Sequence, residues 1–171
     1  LGGIYQIIKS GSGKKILDIG FGTGILSKKL YDEGYCVNGM DFSEKMIEIA
    51  AAKMPEAVLC RHDFTKGLPE TFKNERFDAI ICTYAIHHLS VSQQTALLKE
   101  LKEHLLPQGK ILIGDVAFET MEELDHCREI SRDDWDDEEI YPVAEILRTD
   151  FPDILFQKVS FCAGILILPA A

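Results

Sequence analysis

A chain of 171 residues with a formal net charge of -10 can bury one substantial core, but it is too acidic to take a phosphate backbone as its main partner, because nucleic-acid binders need clustered Lys and Arg. Its apolar and charged fractions, 46% and 27%, are those of an ordinary globular protein, and no apolar run is long enough to span a bilayer. A single domain over residues 1–171 with a small-molecule ligand is expected, with neither nucleic acid nor membrane as partner. The cysteines at 36, 60, 82, 127 and 162 form no CxxC pair. Cys36 and Cys82 lie beside or in apolar runs, where Cys acts as a small buried hydrophobe, and the pattern suits a reducing cytoplasm. The chain opens on Leu-Gly-Gly without a basic segment, so no signal peptide is expected. The first residue is not Met, which suggests that the natural N-terminus has been lost or processed.

Ile4, Ile7 and Ile8 stand at helical spacing, and Ser10-Gly-Ser-Gly13 then breaks the helix. The next stretch organises the rest. Ile16, Leu17 and Ile19 make a β-prone run, three glycines alternate with Phe21 and Thr23, and a helix starts near Ile25 and stops near Gly34. Asp18 sits inside the apolar run, where a carboxylate is costly unless it is hydrogen-bonded or serves a ligand. A second strand runs from Tyr35 to about Met40 and ends at Asp41. Ser43 caps the following helix, with Glu44 in its first turn, and Pro55 closes it. Ala57 to Arg61 is a short third strand leading into His62-Asp-Phe64.

Phe77 to Cys82 is a fourth strand, apolar enough to be buried on both faces. Tyr84-Ala-Ile-His-His-Leu89 follows, then a capping box, Ser90 with Gln93, and a helix packing Leu97, Leu98, Leu101 and Leu105. Leu106-Pro-Gln-Gly109 turns into strand five, Lys110 to about Asp115. Thr120 and Glu123 form a second capping box, opening a helix through about Ser131. Asp133-Asp-Trp-Asp-Asp-Glu-Glu139 is an acid run that reads as a solvated face or loop. Pro142 suits the first turn of a helix through about Thr149. Leu155–Phe161 and Ala163–Leu168, with almost nothing between them, should form an antiparallel hairpin.

Strands alternating with helices indicate an α/β fold: a doubly wound, mostly parallel sheet with helices on both faces and an antiparallel hairpin at the end. In such sheets ligands bind beyond the carboxyl ends of the strands, where the strand order reverses. The strand endings Gly20–Gly24, Asp41, Asp63 and Thr83–His88 should then share one edge. Asp41 is placed to accept from both hydroxyls of a ribose, and Asp63-Phe64 to contact an adenine.

The order of these pieces resembles the class I S-adenosylmethionine-dependent methyltransferases, in their small-molecule branch. The resemblance runs from Ile16 to the terminal hairpin. It rests on Leu17-Asp-Ile-Gly-Phe-Gly-Thr-Gly24, Gly39-Met-Asp-Phe-Ser43 with Met46, His62-Asp-Phe64, Phe77-Asp-Ala-Ile80 through Ala85-Ile-His-His-Leu89, and Leu106-Pro-Gln-Gly-Lys110. It implies a Rossmann-like seven-stranded sheet whose seventh strand is inserted antiparallel between strands five and six. It also implies S-adenosylmethionine as cofactor. Gly20, Gly22 and Gly24, with Phe21 among them, would pass its methionine portion, with Asp18 nearby. Asp41 would hold the ribose; Phe42 and Met46 would lie against the adenine. Asp63 would accept from the adenine amino group, Phe64 would supply backbone contacts, and Thr83 would lie beneath the sulfonium. Family members usually carry a helical cap before the first strand; only about fifteen residues precede it here, so much of that cap is expected to be absent.

The glycine spacing opposes a nicotinamide-dependent oxidoreductase: Gly24 is followed by Ile25 where the dinucleotide pattern continues toward another glycine, and Asp18 would repel a pyrophosphate. Transfer from a sulfonium is an in-line displacement, so the main task is holding the nucleophile in line with the methyl carbon. A general base is needed only if the acceptor must lose a proton, and His87 and His88 are the candidates, since a His titrates near neutrality. The plainer reading has one of them packed under the next helix and the other in solvent. Asp115 either faces the substrate or is a solvated strand end. Trp135 and Tyr141 belong either to a lid or to a core cover. No residue is assigned to a metal. The expected function is methyl transfer to a small-molecule acceptor; the alternative from another class is a non-enzymatic S-adenosylmethionine-binding module.

Overall fold

The computed structural model describes residues 1–171. Burial on both sides of the central strands dictates the layering. In β1 (Lys15–Ile19) and β4 (Phe77–Thr83) successive side chains point to opposite faces and nearly all are buried, so each face needs a cover. Leu17, Ile19, Ile80 and Cys82 enter one cluster with Leu97, Leu98 and Leu101 of the helix α4 (Val91–Glu103). Ile16, Ala79 and Ile81 enter a second, against Ile4 and Ile8 of α1 (Gly2–Ser10) and Leu26 and Leu30 of α2 (Ile25–Asp32). The core is these two clusters with the sheet between them.

The chain continues from α2 through β2 (Cys36–Asp41), α3 (Glu44–Lys53) and β3 (Val58–Arg61). After β4 and α4 come β5 (Leu105–Val116), α5 (Met121–Ile130), α6 (Ala144–Leu147), β6 (Leu155–Lys158) and β7 (Ala163–Pro169). All seven strands form one sheet in the order β3-β2-β1-β4-β5-β7-β6. Pairing is parallel from β3 across to β5, and β7 lies antiparallel between β5 and β6, as the resemblance implied. The order reverses at β1, which puts the carboxyl ends of β1 and β4 beside the crevice where such sheets bind ligands.

The predicted caps are largely found. The Ser43 hydroxyl accepts from the Met46 N–H at 3.4 Å, and Ser90 and Gln93 form a complete capping box. Thr120 accepts from the Glu123 N–H, but the Glu123 carboxylate reaches the Glu119 N–H, one residue short of the reciprocal bond.

Several boundaries differ for identifiable reasons. β5 starts at Leu105, because Leu105 pairs with Phe77 before the register jumps to Ala79 with Lys110; the Leu106–Gly109 turn is a bulge inside the strand, with Gln108 at φ +67°. The helix expected from Pro142 to Thr149 covers only Ala144–Leu147, since Val143 is held extended in a bridge to Phe118. The first hairpin strand stops at Lys158 where Phe161 was expected, the second runs one residue further to Pro169, and Val159–Cys162 joins them.

The cysteine reading needs correction. Cys82 is fully buried, but Cys36 is exposed, and Cys127 of α5 is bonded to Cys162 beside the hairpin. A separation of 35 residues with no local pattern hides such a pair from the sequence. Reduction, or Cys127→Ser, is expected to lower the unfolding free energy by about 3–4 kcal/mol, the chain-entropy value for a loop of this length. Denaturation midpoints with and without reductant check this; coincident midpoints would mean that the bridge contributes nothing. No helix is long and apolar enough to cross a membrane.

Candidate active site

The turn after β1 is built from backbone that only glycine adopts easily. Gly20, Gly22 and Gly24 have φ of +66°, +55° and +68°. The Gly20 N–H donates to the Met40 carbonyl at 2.8 Å, tying the turn to β2. Nothing lies within 4 Å of where a Gly22 Cβ would stand, so the outer side of the turn is open. Gly24 precedes α2 without any side-chain cap, which leaves the first N–H groups of that helix available.

Asp18 is 3% exposed and lies on the α2 side of β1. Its Oδ2 accepts from the Ser27 hydroxyl at 2.5 Å, while its Oδ1 is buried without a partner. Burial pushes this carboxyl up to about 7; the Ser27 bond pulls it down, and the charge of Asp41 adds to the rise. A buried acceptor with no donor costs about 1–3 kcal/mol. A ligand that brought a cation or N–H donor to this oxygen would remove that cost.

Asp41, also buried, ends β2 with both oxygens in use: Oδ2 accepts from the Gly22 N–H and Oδ1 from the Ser43 N–H, each at 2.9 Å. The carboxylate therefore joins the glycine turn to the start of α3. Phe42 beside it is 70% exposed, so its ring is no part of the core. With Arg61, His62, Asp63 and Lys66 it borders an open groove of about 630 Å3 at the ends of β2 and β3. Asp63 caps a short 3-10 turn, accepting from the Thr65 N–H at 3.0 Å and the Thr65 hydroxyl at 2.7 Å, bonds that hold it below the usual carboxylate range. Met46 and Phe64 are half-buried, each packed on a different cluster of the core. Phe21 turns inward: its ring fills the space over Gly39, where a Cβ would meet it at 2.7 Å, so only its backbone belongs to the turn. Thr83 ends β4 on a cavity of about 250 Å3 that it shares with Tyr84, Asp115 and the start of α1.

The two histidines are separated clearly. They end a 3-10 turn, Ile86–His88, with His87 buried and His88 exposed. His87 Nδ1 lies 2.8 and 2.9 Å from the two oxygens of Asp115, which is 2% exposed at the end of β5. Asp115 is thus no solvated strand end. Burial raises its carboxyl, and the His87 ring pulls it back. An ionised carboxylate only accepts, so Nδ1 donates to Asp115, and in the neutral ring the lone pair is on Nε2. Glu139 Oε1 stands 3.4 Å from that Nε2. Most of the acid run is exposed as expected, but its last residue turns inward. Trp135 and Tyr141 stack edge-to-face at 4.9 Å over Phe118, Cys127 and Val143. They cover a small satellite core, and Tyr141 also flanks His87, with ring centres 6.2 Å apart.

This fold, with a glycine turn, Asp18, Asp41 and Asp63 in, at and just beyond the ends of β1, β2 and β3, and a His–Asp pair beyond β4 and on β5, is that of a doubly wound domain with its ligand cleft on the carboxyl edge. The family described as "Methyltransferase domain" matches residues 16–109, and the chain belongs to it. An uncharacterized methyltransferase of Oceanobacillus iheyensis is 32% identical over 92% of this chain and 76% of its own length. Another, from Bacillus licheniformis, is 38% identical over 70% of this chain, which spans about half (55%) of that protein. Among solved structures, magnesium protoporphyrin IX methyltransferase from Synechocystis PCC 6803 with bound SAH superposes with a TM-score of 0.74 at 19% identity, covering 99% of this chain and 81% of that one. The protein is a methyltransferase of this family.

Proposed function

We propose that the chain transfers a methyl group from S-adenosylmethionine to a small-molecule acceptor. When bound, that cofactor supplies a methyl carbon already activated on a sulfonium. The observation that carries the reading is the orphaned Asp18 Oδ1: a buried carboxylate oxygen beside an open glycine turn suits the ammonium of an amino-acid cofactor and opposes a phosphate. Gly20, Gly22 and Gly24 would pass the methionine portion, with Phe21 contributing backbone alone. Asp41 would take the ribose hydroxyls on its remaining lone pairs. Exposed Phe42, half-buried Met46, Asp63 and Phe64 would border the adenine, and Thr83 would face the sulfonium end. On the acceptor side, His87 offers its Nε2 lone pair, with Asp115 as the positioning residue behind it; His88 flanks the same point. The non-enzymatic alternative makes no use of that pair. The cytoplasm belongs to the proposal, with Cys36, Cys60 and Cys82 as free thiols; the Cys127–Cys162 bridge weighs against it, and alkylation trapping in cells reports its redox state.

The Asp18 environment gives a pH test. With the folded carboxyl raised to about 7 from its ordinary value, the free protein holds Asp18 protonated below that pH, and the associated stability is lost as pH rises through about 7. An ammonium at Oδ1 favours the ionised form, so binding releases a proton and strengthens with pH. S-adenosylmethionine affinity should rise roughly ten- to thirty-fold between pH ~5.5 and ~7.5, and Asp18→Asn should flatten that slope. Calorimetric titration at the two pH values is the check; equal affinities in the parent chain would remove Asp18 from the ammonium role. A labelled-methyl screen over small hydroxyl, thiol and amine acceptors tests the reaction itself.

A further inference from the structure

The proposed methyl transfer gives Glu139 no part and His88 only a flanking one, yet both stand close to the free nitrogen of His87. We propose that His87, His88 and Glu139 form a binding site for a zinc-type divalent cation at the acceptor end of the cleft. Each residue offers a ligating atom, and the three atoms lie within 4.8 Å of one another.

The His87–Glu139 distance suits a shared ion better than a plain salt bridge. A charge-assisted N–H···O bond is normally about 2.7–2.9 Å long, whereas His87 Nε2 and Glu139 Oε1 are 3.4 Å apart. That is close to the ~3.3–3.4 Å edge of a tetrahedron whose zinc–ligand bonds measure about 2.0–2.1 Å. Behind the candidate ligand, Asp115 accepts a hydrogen bond from Nδ1–H at 2.8 Å, as a carboxylate behind a ligating histidine does: it fixes the tautomer and aims Nε2.

Glu139 does not reach the site by chance of a loose loop. The next residue, Ile140, donates its N–H to the His87 carbonyl at 2.9 Å, and its own carbonyl accepts from the buried Gln94 amide at 2.7 Å. The loop is thereby pinned to the histidine turn from two sides. His88 is exposed and Glu139 half-buried, so an ion can enter from solvent. Two imidazoles and one carboxylate are the ligand set of a catalytic zinc, which keeps its fourth position open. The role of that fourth position rests on the proposed function: an acceptor hydroxyl or thiol bound there would release its proton to water at a lower pH, making a better nucleophile without a protein base. The acceptor class this implies is a compound bearing a metal-binding hydroxyl or thiol.

The test uses the full chain dialysed against chelator and then titrated with zinc chloride, with cobalt chloride as a spectroscopic stand-in. One equivalent of zinc should bind, cobalt should give the intense visible bands of a tetrahedral site, and His88→Ala and Glu139→Gln should each weaken uptake at least tenfold. Both variants change side chains outside the core, and their circular dichroism and S-adenosylmethionine affinity should match the parent. No zinc uptake by the parent, or equal uptake by the parent and both variants, overturns the site. S-adenosylmethionine titrated in the same samples keeps the two readings apart. Cofactor binding without zinc binding removes the cation site and leaves the proposed function; zinc binding without cofactor binding does the reverse.

Discussion

Replacing Asp41 by alanine is expected to weaken S-adenosylmethionine binding by about 1–3 kcal/mol, a rise in Kd of roughly 5- to 150-fold. Two losses combine. In the proposed role the ribose hydroxyls lose their acceptor; the Gly22 and Ser43 N–H groups also lose theirs, so the glycine turn and the start of α3 are no longer joined. Asp41→Asn separates the two, because an amide keeps one acceptor oxygen for the backbone and gives up the charge. Its affinity should fall between those of the parent and the alanine variant. Calorimetry on the three chains checks the order, and an unchanged Kd in Asp41→Ala would take the residue out of the ribose role.

Replacing His87 by alanine should lower turnover by about 10²- to 10⁴-fold, the range for a side chain that prepares the acceptor, whether directly or through an ion. The Kd for S-adenosylmethionine should stay within about twofold of the parent, since the proposed function puts the ring on the acceptor side. Asp115→Asn should give a smaller loss in turnover, because an amide can still hold the ring while favouring the wrong tautomer. Truncating His87 exposes the buried Asp115 to a cavity, so circular dichroism and a denaturation midpoint accompany the kinetics. Full activity in a folded His87→Ala chain would return the pair to a purely structural role.

How much of this was legible in the sequence follows from the range of the forces involved. The β1 turn, the Ser43 and Ser90 caps and the terminal hairpin are local patterns, readable because each is fixed by its own neighbours. The parallel sheet followed from the doubly buried character of β4 and the strand–helix alternation. Asp41 and Asp63 could be placed at strand ends for the same reason. What escaped was pairing across long separations. His87 and Asp115 are 28 residues apart, and only the parallel pairing of β4 with β5 brings them together. Glu139 looked like one acid among many, and a backbone bond from Ile140 to the His87 carbonyl turns it inward. Phe21 was grouped with the turn glycines, but the direction of its ring is set by the space over Gly39 on the neighbouring strand, which draws it into the core.

The Asp41 carboxylate has one more consequence, for the thermodynamics of binding. Because backbone N–H groups hold both of its oxygens at 2.9 Å, its χ angles are fixed when the chain folds. Immobilising a flexible side chain at an interface ordinarily takes about 0.5–1.5 kcal/mol away from affinity. Here that entropy is already lost before a ligand arrives, and the turn that must receive the ligand is locked by the same two bonds. The cleft is pre-organised at Asp41, so binding there should proceed without a slow rearrangement.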